Sequence, residues 1–357
     1  ALKRQKPDLA IIGYSGQEAL TLAQTLKREH PDLVLVALTR KSEATAILQA
    51  MRAGFKEYVV LPEDAVRLRQ VVREARHGVV SEADEDKGVV LAFAGAKGGV
   101  GTSTIAVNLA AEFAGIHRVL IIDMNLSTGD VGSLLDVAAK DTICDVLGRL
   151  DRLDERVLGN SVSVHRSKLH ALLTPDDPTT VENITADGVL QLIATAATAY
   201  QYVFIDCGTY FDEAVGVALN VADQVVLVAT ADVVSVRDAF RRVKAWQQLG
   251  LDKSRIRLVI NRWNKSTSLQ LTDIEQNLGV PVSAVVAEDV KTVQQALNEG
   301  KLLRDVNRKS DVVRDVGALL GVLGEEGTAD VATSPTAGSG DSPGGVGGFF
   351  ASLFNRG

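Results

Sequence analysis

Lys97, Ser103 and two carboxylates at the ends of apolar runs, Asp123 and Asp206, are the residues best placed to do chemistry in this chain. The chemistry they suggest is the handling of a phosphate chain. The stretch Ala96-Lys97-Gly98-Gly99-Val100-Gly101-Thr102-Ser103-Thr104 is dense in glycine. Such a loop leaves successive backbone N–H groups unpaired and aimed at one point, and a helix that follows adds the positive end of its dipole. Glycine lets a ligand come close without meeting a Cβ. The general phosphate loop reads G-x-x-x-x-G-K-[ST]. This one departs from it twice, with Ala96 at the first Gly and Thr102 where the lysine should stand. What remains is Lys97 just before the glycines, and Ser103 where the Mg²⁺-binding hydroxyl would be. A strand-end carboxylate such as Asp206 holds Mg²⁺ in phosphate-loop proteins. Alone it would as readily form a turn or cap a helix; beside the loop, the metal reading is favoured.

These groups need a sheet edge to stand on. Val89 to Ala94 is an apolar run before the loop, and Ser103 to Ala111 has helical spacing after it. Arg118 to Asp123 and Tyr202 to Asp206 read as strands that end in a carboxylate, where open parallel sheets place their ligands. Further strands are expected at Gln224 to Ala229, Arg257 to Ile260 and Pro281 to Val286, with helices between them. Apolar residues make up 46% of the 357-residue chain and aromatics only 4%, so Val, Leu, Ala and Ile fill the interior, as buried parallel strands prefer. The class is α/β.

Residues 1–80 repeat the alternation on a smaller scale. Strands are expected at Leu9 to Ile12, Leu33 to Leu38 and Tyr58 to Leu61, and helices at Gln17 to Arg28, Ser42 to Ala53 and Ala65 to Arg76. Residues 81–88 form an acidic linker, and residues 89–325 the second domain. The net charge of −7 and the pI near 5.4 disfavour broad binding to nucleic acid. Cys144 and Cys207 lie far apart without metal-ligand spacing and read as reduced thiols of a cytoplasmic protein. No run approaches the ~18 apolar residues of a membrane span.

KGGVG, at residues 97–101, resembles the deviant Walker A loop of the MinD/ParA ATPases, whose mostly parallel sheet and dimeric, ATP- and Mg²⁺-binding chemistry this chain would then share. By that resemblance Lys97 is the signature lysine that reaches the partner's nucleotide in a sandwich homodimer. The loop residues 96–104 cradle phosphate, and Ser103 and Asp206 serve Mg²⁺. In that group the strand ending at Asp123 reads D-x-D, and the second Asp positions the attacking water. Here it is Asn125, which orients a water but cannot take its proton, so slow hydrolysis is expected. Asp130 is a candidate substitute, although capping the following helix is the plainer role. Val259-Ile260-Asn261-Arg262 resembles the base-recognition strand end, where Asn261 hydrogen-bonds adenine; a turn residue closing the strand is the equal alternative.

Residues 1–80 look like the back half of a receiver (flavodoxin-like) domain with its first strand and helix truncated. Gly13 stands at the phosphoacceptor position and Leu61 replaces the lysine before Pro62, so a docking or dimerisation module is expected, or else an unrelated small α/β domain. The whole order resembles the CpaE/TadZ group of Flp-type (tight adherence) pilus assembly ATPases. That resemblance implies pilus assembly proteins as partners and a place at the cell pole; a MinD-like septum-site or ParA-like partition ATPase and a nucleotide-free scaffold are the rivals. Residues 326–348 are rich in Gly, Ser, Thr and Pro and read as a flexible linker. Beyond it Phe349, Phe350, Leu353 and Phe354 fall on one face of a short helix. Such a helix suits peripheral contact with the inner face of the cell membrane or a hydrophobic groove on a pilus protein.

Overall fold

The structure is a computed structural model. It describes residues 7, 9–30, 33–40, 46, 49, 50, 53–61, 68 and 87–324, apart from 182, 183, 265 and 268. Most of the expected helices at Ala65 to Arg76 and at Ser42 to Ala53, linker residues 81–86, and everything after residue 324 lie outside the described residues, Phe349, Phe350, Leu353 and Phe354 included. The chain divides into two compact units, Ala1–Asp86 and Lys87–Gly357.

In the smaller unit, β1 (Leu9–Gly13), α1 (Gln17–Glu29), β2 (Val34–Thr39) and β3 (Glu57–Val60) follow the expected alternation. The three strands are parallel, in the order β1-β2-β3. Helix α1 turns Ala19, Leu20, Ala23 and Leu26 inward at helical spacing. A three-stranded parallel sheet is common to many α/β domains and does not single out a receiver.

The larger unit opens with β4 (Val89–Gly95), α2 (Thr102–Phe113) and β5 (Val119–Asp123). The short helices α3 (Asp130–Leu135), α4 (Ile143–Leu147) and α5 (Glu155–Ser161) lead to a hairpin of β6 (Ser163–Val164) and β7 (His170–Leu172). Next come α6 (Ala186–Ala199), β8 (Tyr202–Asp206), α7 (Glu213–Val221), β9 (Gln224–Thr230), α8 (Val233–Gln248) and β10 (Ile256–Trp263). The described part closes with α9 (Leu271–Leu278), β11 (Val282–Ala287), α10 (Val290–Glu299), α11 (Leu303–Val306) and α12 (Asp311–Leu323).

The eight strands form one sheet in the order β11-β10-β9-β4-β8-β5-β7-β6, parallel except for β6. Alternate residues of each central strand feed separate cores. Ala92, Ile122, Ile205 and Leu227 pack under α6, α7, α8 and α9, while Phe93, Ile121, Phe204 and Val226 pack under α2 and α12. Because both faces are covered, these strands are apolar throughout, which is why the sequence shows runs there and not alternation. The hairpin was not anticipated, since strands of two and three residues are too short to carry a period.

Candidate functional site

Strand β4 delivers the chain to the loop at residues 96–101, and α2 starts at Thr102 behind a left-handed Gly101 (φ 93°) with no side-chain cap. A Cβ at Gly101 would lie 2.4 Å from Asn261 Nδ2, and one at Gly95 would lie 2.6 Å from Thr102 Oγ1, so the fold itself demands both glycines. Gly99 has φ +75° and is required by its backbone. Gly98 is different. Nothing lies within 4 Å of a Cβ built on it, and its φ is not left-handed, so no contact of the chain explains the glycine. The space above it is open to a ligand. A Gly98→Ala variant is expected to melt within about 1 °C of wild type, as surface changes do. Its affinity for nucleotide should fall about tenfold or more as the methyl displaces charge-assisted hydrogen bonds. Differential scanning fluorimetry with and without Mg-ATP checks both halves.

Asn261, at the end of β10, spends its amide on the loop. Its Nδ2 donates to the Val100 carbonyl at 2.7 Å, and its Oδ1 accepts the Arg262 N–H at 2.9 Å. It straps the loop to the sheet, and because β10 runs on to Trp263, Asn261 is not the residue that closes the strand, as the sequence allowed. Arg262 is exposed, with φ 54°, where the pairing of β10 with β11 is irregular. Lys97 Nζ lies 3.1 Å from Asp232 Oδ1. Asp232 caps α8 through the Ser235 N–H at 2.9 Å and accepts the Thr230 hydroxyl at 2.6 Å. Burial acts upward on this carboxyl, but Thr230, Ser235 and Lys97 together hold it below the usual range. Lys97 thus has an acidic partner within its own chain that the sequence reading missed.

Asp123 and Asp206 are paired across β5 and β8, and both side chains are wholly buried. Asp123 accepts the Asn125 N–H at 3.0 Å on Oδ1 and the Val131 N–H at 3.1 Å on Oδ2. The second bond corrects the expectation for Asp130. That residue is the first of α3; the N-cap is Gly129, without a side-chain bond, and Asp123 supplies the acceptor. Asn125 donates from Nδ2 to Thr128 Oγ1 at 2.6 Å and packs against Gly208, whose Cβ would meet its Cγ at 2.7 Å.

Asp206 Oδ1 accepts the Gly208 N–H at 3.1 Å. Its Oδ2 is buried with no hydrogen bond of regular geometry, and the Ser103 hydroxyl, near enough to act on this carboxyl, lowers its pKa. Thr102 Oγ1 is likewise buried and unpartnered. No cluster of three or more His, Cys, Asp or Glu among the described residues could hold a metal by itself. An orphaned carboxylate oxygen beside a serine hydroxyl fits an ion that takes one or two protein oxygens and completes its shell with phosphate and water, as Mg²⁺ does. The residues present therefore fit Mg²⁺ with a phosphate chain. When bound, that ion neutralises charge on phosphoryl oxygens.

Burial raises the pKa of Asp123, helped by the neighbouring Asp206, and burial likewise raises Asp206, opposed by Ser103 and the Gly208 N–H. A carboxyl that holds its proton more tightly folded than unfolded contributes stability below the unfolded pKa of about 4, and that contribution is lost as pH rises through the folded value. The ligand-free protein should therefore lose stability from about pH 4 through neutrality. Asp123→Asn should flatten this loss, which thermal melts at pH 5 and pH 8 would read as a difference of several °C, about 2–4 °C for each kcal/mol.

A family model described as the CobQ/CobB/MinD/ParA nucleotide binding domain matches residues 91–303, from the middle of β4 to the start of α11. The chain belongs to this family. The septum site-determining protein MinD of Bacillus subtilis (strain 168) is 26% identical over 267 residues, 67% of this chain and 90% of that protein. Among solved structures, a ParA family ATPase from Chlorobium tepidum TLS superposes with a TM-score of 0.62 at 28% identity, over 65% of this chain and 98% of its own. MinD of Pyrococcus horikoshii OT3, solved with Mg-ADP, superposes with a TM-score of 0.58 at 19% identity, which speaks for the fold alone. The match holds every strand-end residue discussed above, and residues 1–86 fall outside it. This MinD/ParA-type domain brings Lys97, Ser103, Asp123, Asn125 and Asp206 to one edge of its sheet, with Asn261 bound to the loop from β10, two strands from β4. No helix among the described residues is long and apolar enough to cross a membrane.

Proposed function

We propose that the chain binds ATP with Mg²⁺, hydrolyses it slowly, and acts as a nucleotide-gated homodimer in the assembly of Flp-type pili. The observation that carries the nucleotide reading is the buried, unpartnered Asp206 Oδ2 beside Ser103, at the foot of a glycine loop whose Gly98 no internal contact explains. Backbone N–H groups of residues 97–103 would hold the phosphates, and Ser103 and Asp206 the ion. Lys97 would leave Asp232 to reach the partner's nucleotide. Slow turnover rests on Asn125, which has no carboxylate to take a proton from water and whose amide is engaged by Thr128.

The pilus setting rests on the chain's order, a small α/β unit ahead of a MinD/ParA-type domain whose loop has Thr102 in place of lysine. MinD relatives support the second reading, a septum-site ATPase. Turnover and sedimentation with Mg-ATP test the biochemical part. Turnover equal to that of a MinD measured alongside and abolished by Asn125→Ala would overturn slow hydrolysis, and a monomer at saturating Mg-ATP would overturn the dimer. Deletion of the gene tests the setting: loss of surface pili with normal division supports the first reading, and misplaced septa with intact pili support the second.

A further inference from the structure

Arg242 lies on α8, between an exposed Arg241 and a buried Val243. Its Nε donates to the Ala96 carbonyl at 2.9 Å, and its Nη2 to the Thr209 carbonyl at 2.5 Å. Ala96 opens the glycine loop; Thr209 belongs to the segment that leaves Asp206. The two segments also meet directly, where the Gly95 N–H donates to the Gly208 carbonyl at 2.9 Å.

We infer that Arg242 is a positioning residue of the nucleotide site, whose guanidinium locks the phosphate-side loop to the metal-side loop and whose charge stands beside the loop that has lost its second lysine to Thr102. This inference rests on the nucleotide reading above. Helix α8 does not need the bond to hold its place, since Val236, Ala239, Val243 and Trp246 are buried and Asp232 caps its start. Arg304, also half-buried, pairs with Glu112 at 2.9 Å, whereas Arg255 gives its Nη2 to backbone carbonyls. Arg242 is of the second kind: it gives its hydrogen bonds to two neutral carbonyls, here on the two loops of the site, and burial lowers its pKa, opposed only through space by Asp238. Its positive charge is therefore incompletely neutralised next to a loop suited to an anion. Only a planar fork with several donors spans two carbonyls in this way; a lysine keeps the charge and loses the bridge.

The test is calorimetric titration of ATP, with Mg²⁺ and with chelator, into wild type, Arg242→Met and Arg242→Lys. Arg242→Met should bind Mg-ATP about tenfold more weakly, the worth of one lost charge-assisted contact. The ratio of affinities with and without Mg²⁺ should shrink several-fold, because the link between the two loops is gone; a purely structural defect would weaken both alike. Arg242→Lys should recover part of the affinity and little of the ratio. Should Arg242→Met fail to fold, Arg242→Lys decides alone. Affinities and ratios within twofold of wild type in the folded variants would overturn the inference. Wild type that takes up no Mg-ATP would overturn the nucleotide reading itself, a different outcome from a variant that matches a binding wild type.

Discussion

Asp206→Asn is expected to abolish most Mg-dependent nucleotide binding while leaving the ligand-free protein as stable as wild type or more so. Asn keeps an oxygen to accept the Gly208 N–H, so the turn after β8 survives. It removes a negative charge that is fully buried beside Asp123 and whose Oδ2 finds no regular partner. In the free protein that charge is a liability, as its raised pKa shows. Only a cation at this place would turn the liability into attraction. Loss of the metal-holding charge should weaken Mg-ATP about a hundredfold, near the upper end for a charged interaction. Scanning fluorimetry gives both numbers at once: the free melting temperature should hold or rise, and the upward shift that saturating Mg-ATP gives wild type should disappear. A variant still protected by Mg-ATP as wild type is would show that Asp206 has no part in holding the ion.

The metal-holding role proposed for Asp206 was legible in the sequence because an apolar run ending in a carboxylate is a local pattern, as is the strand, glycine loop and helix around Lys97. What was not legible depends on contacts between distant residues. Lys97 and Asp232 are separated by 135 positions, Arg242 and Ala96 by 146, and Asn261 and Val100 by 161. Each pair is made by the strand order, in which β9 lies beside β4 and β10 beside β9, although both are far from β4 in the chain. The sequence offered Asn261 as a strand-closing residue or an adenine ligand; β10 runs on to Trp263, and the bonds of Asn261 to Val100 and Arg262 show what it holds in the ligand-free chain. Asp130 was misread for a related reason: a helix start with an acidic residue looks capped, and the capping oxygen came from Asp123, eight residues before the Val131 N–H that it accepts.

Thr102→Lys restores the cation that a standard phosphate loop carries, and it is expected to tighten Mg-ATP binding about ten- to a hundredfold, the range of one charge-assisted hydrogen bond to phosphate. Thr102 is the first residue of α2 and is 6% exposed, with a buried hydroxyl that bonds to nothing and lies against Gly95. Removing that hydroxyl costs no hydrogen bond, and lysine is a good helix former. The longer stem cannot occupy the slot beside Gly95 and has to turn toward the mouth of the loop, where a phosphate would meet it. Turnover should not rise in step, because Asn125 still offers no base; adding Asn125→Asp to Thr102→Lys is the change expected to raise it. Titration calorimetry and single-turnover hydrolysis separate the two effects. A folded Thr102→Lys protein that binds Mg-ATP no more tightly than wild type would mean that the loop does not hold a phosphate chain. Tighter binding with proportionally faster turnover would place the limit on hydrolysis in the missing lysine and not in Asn125.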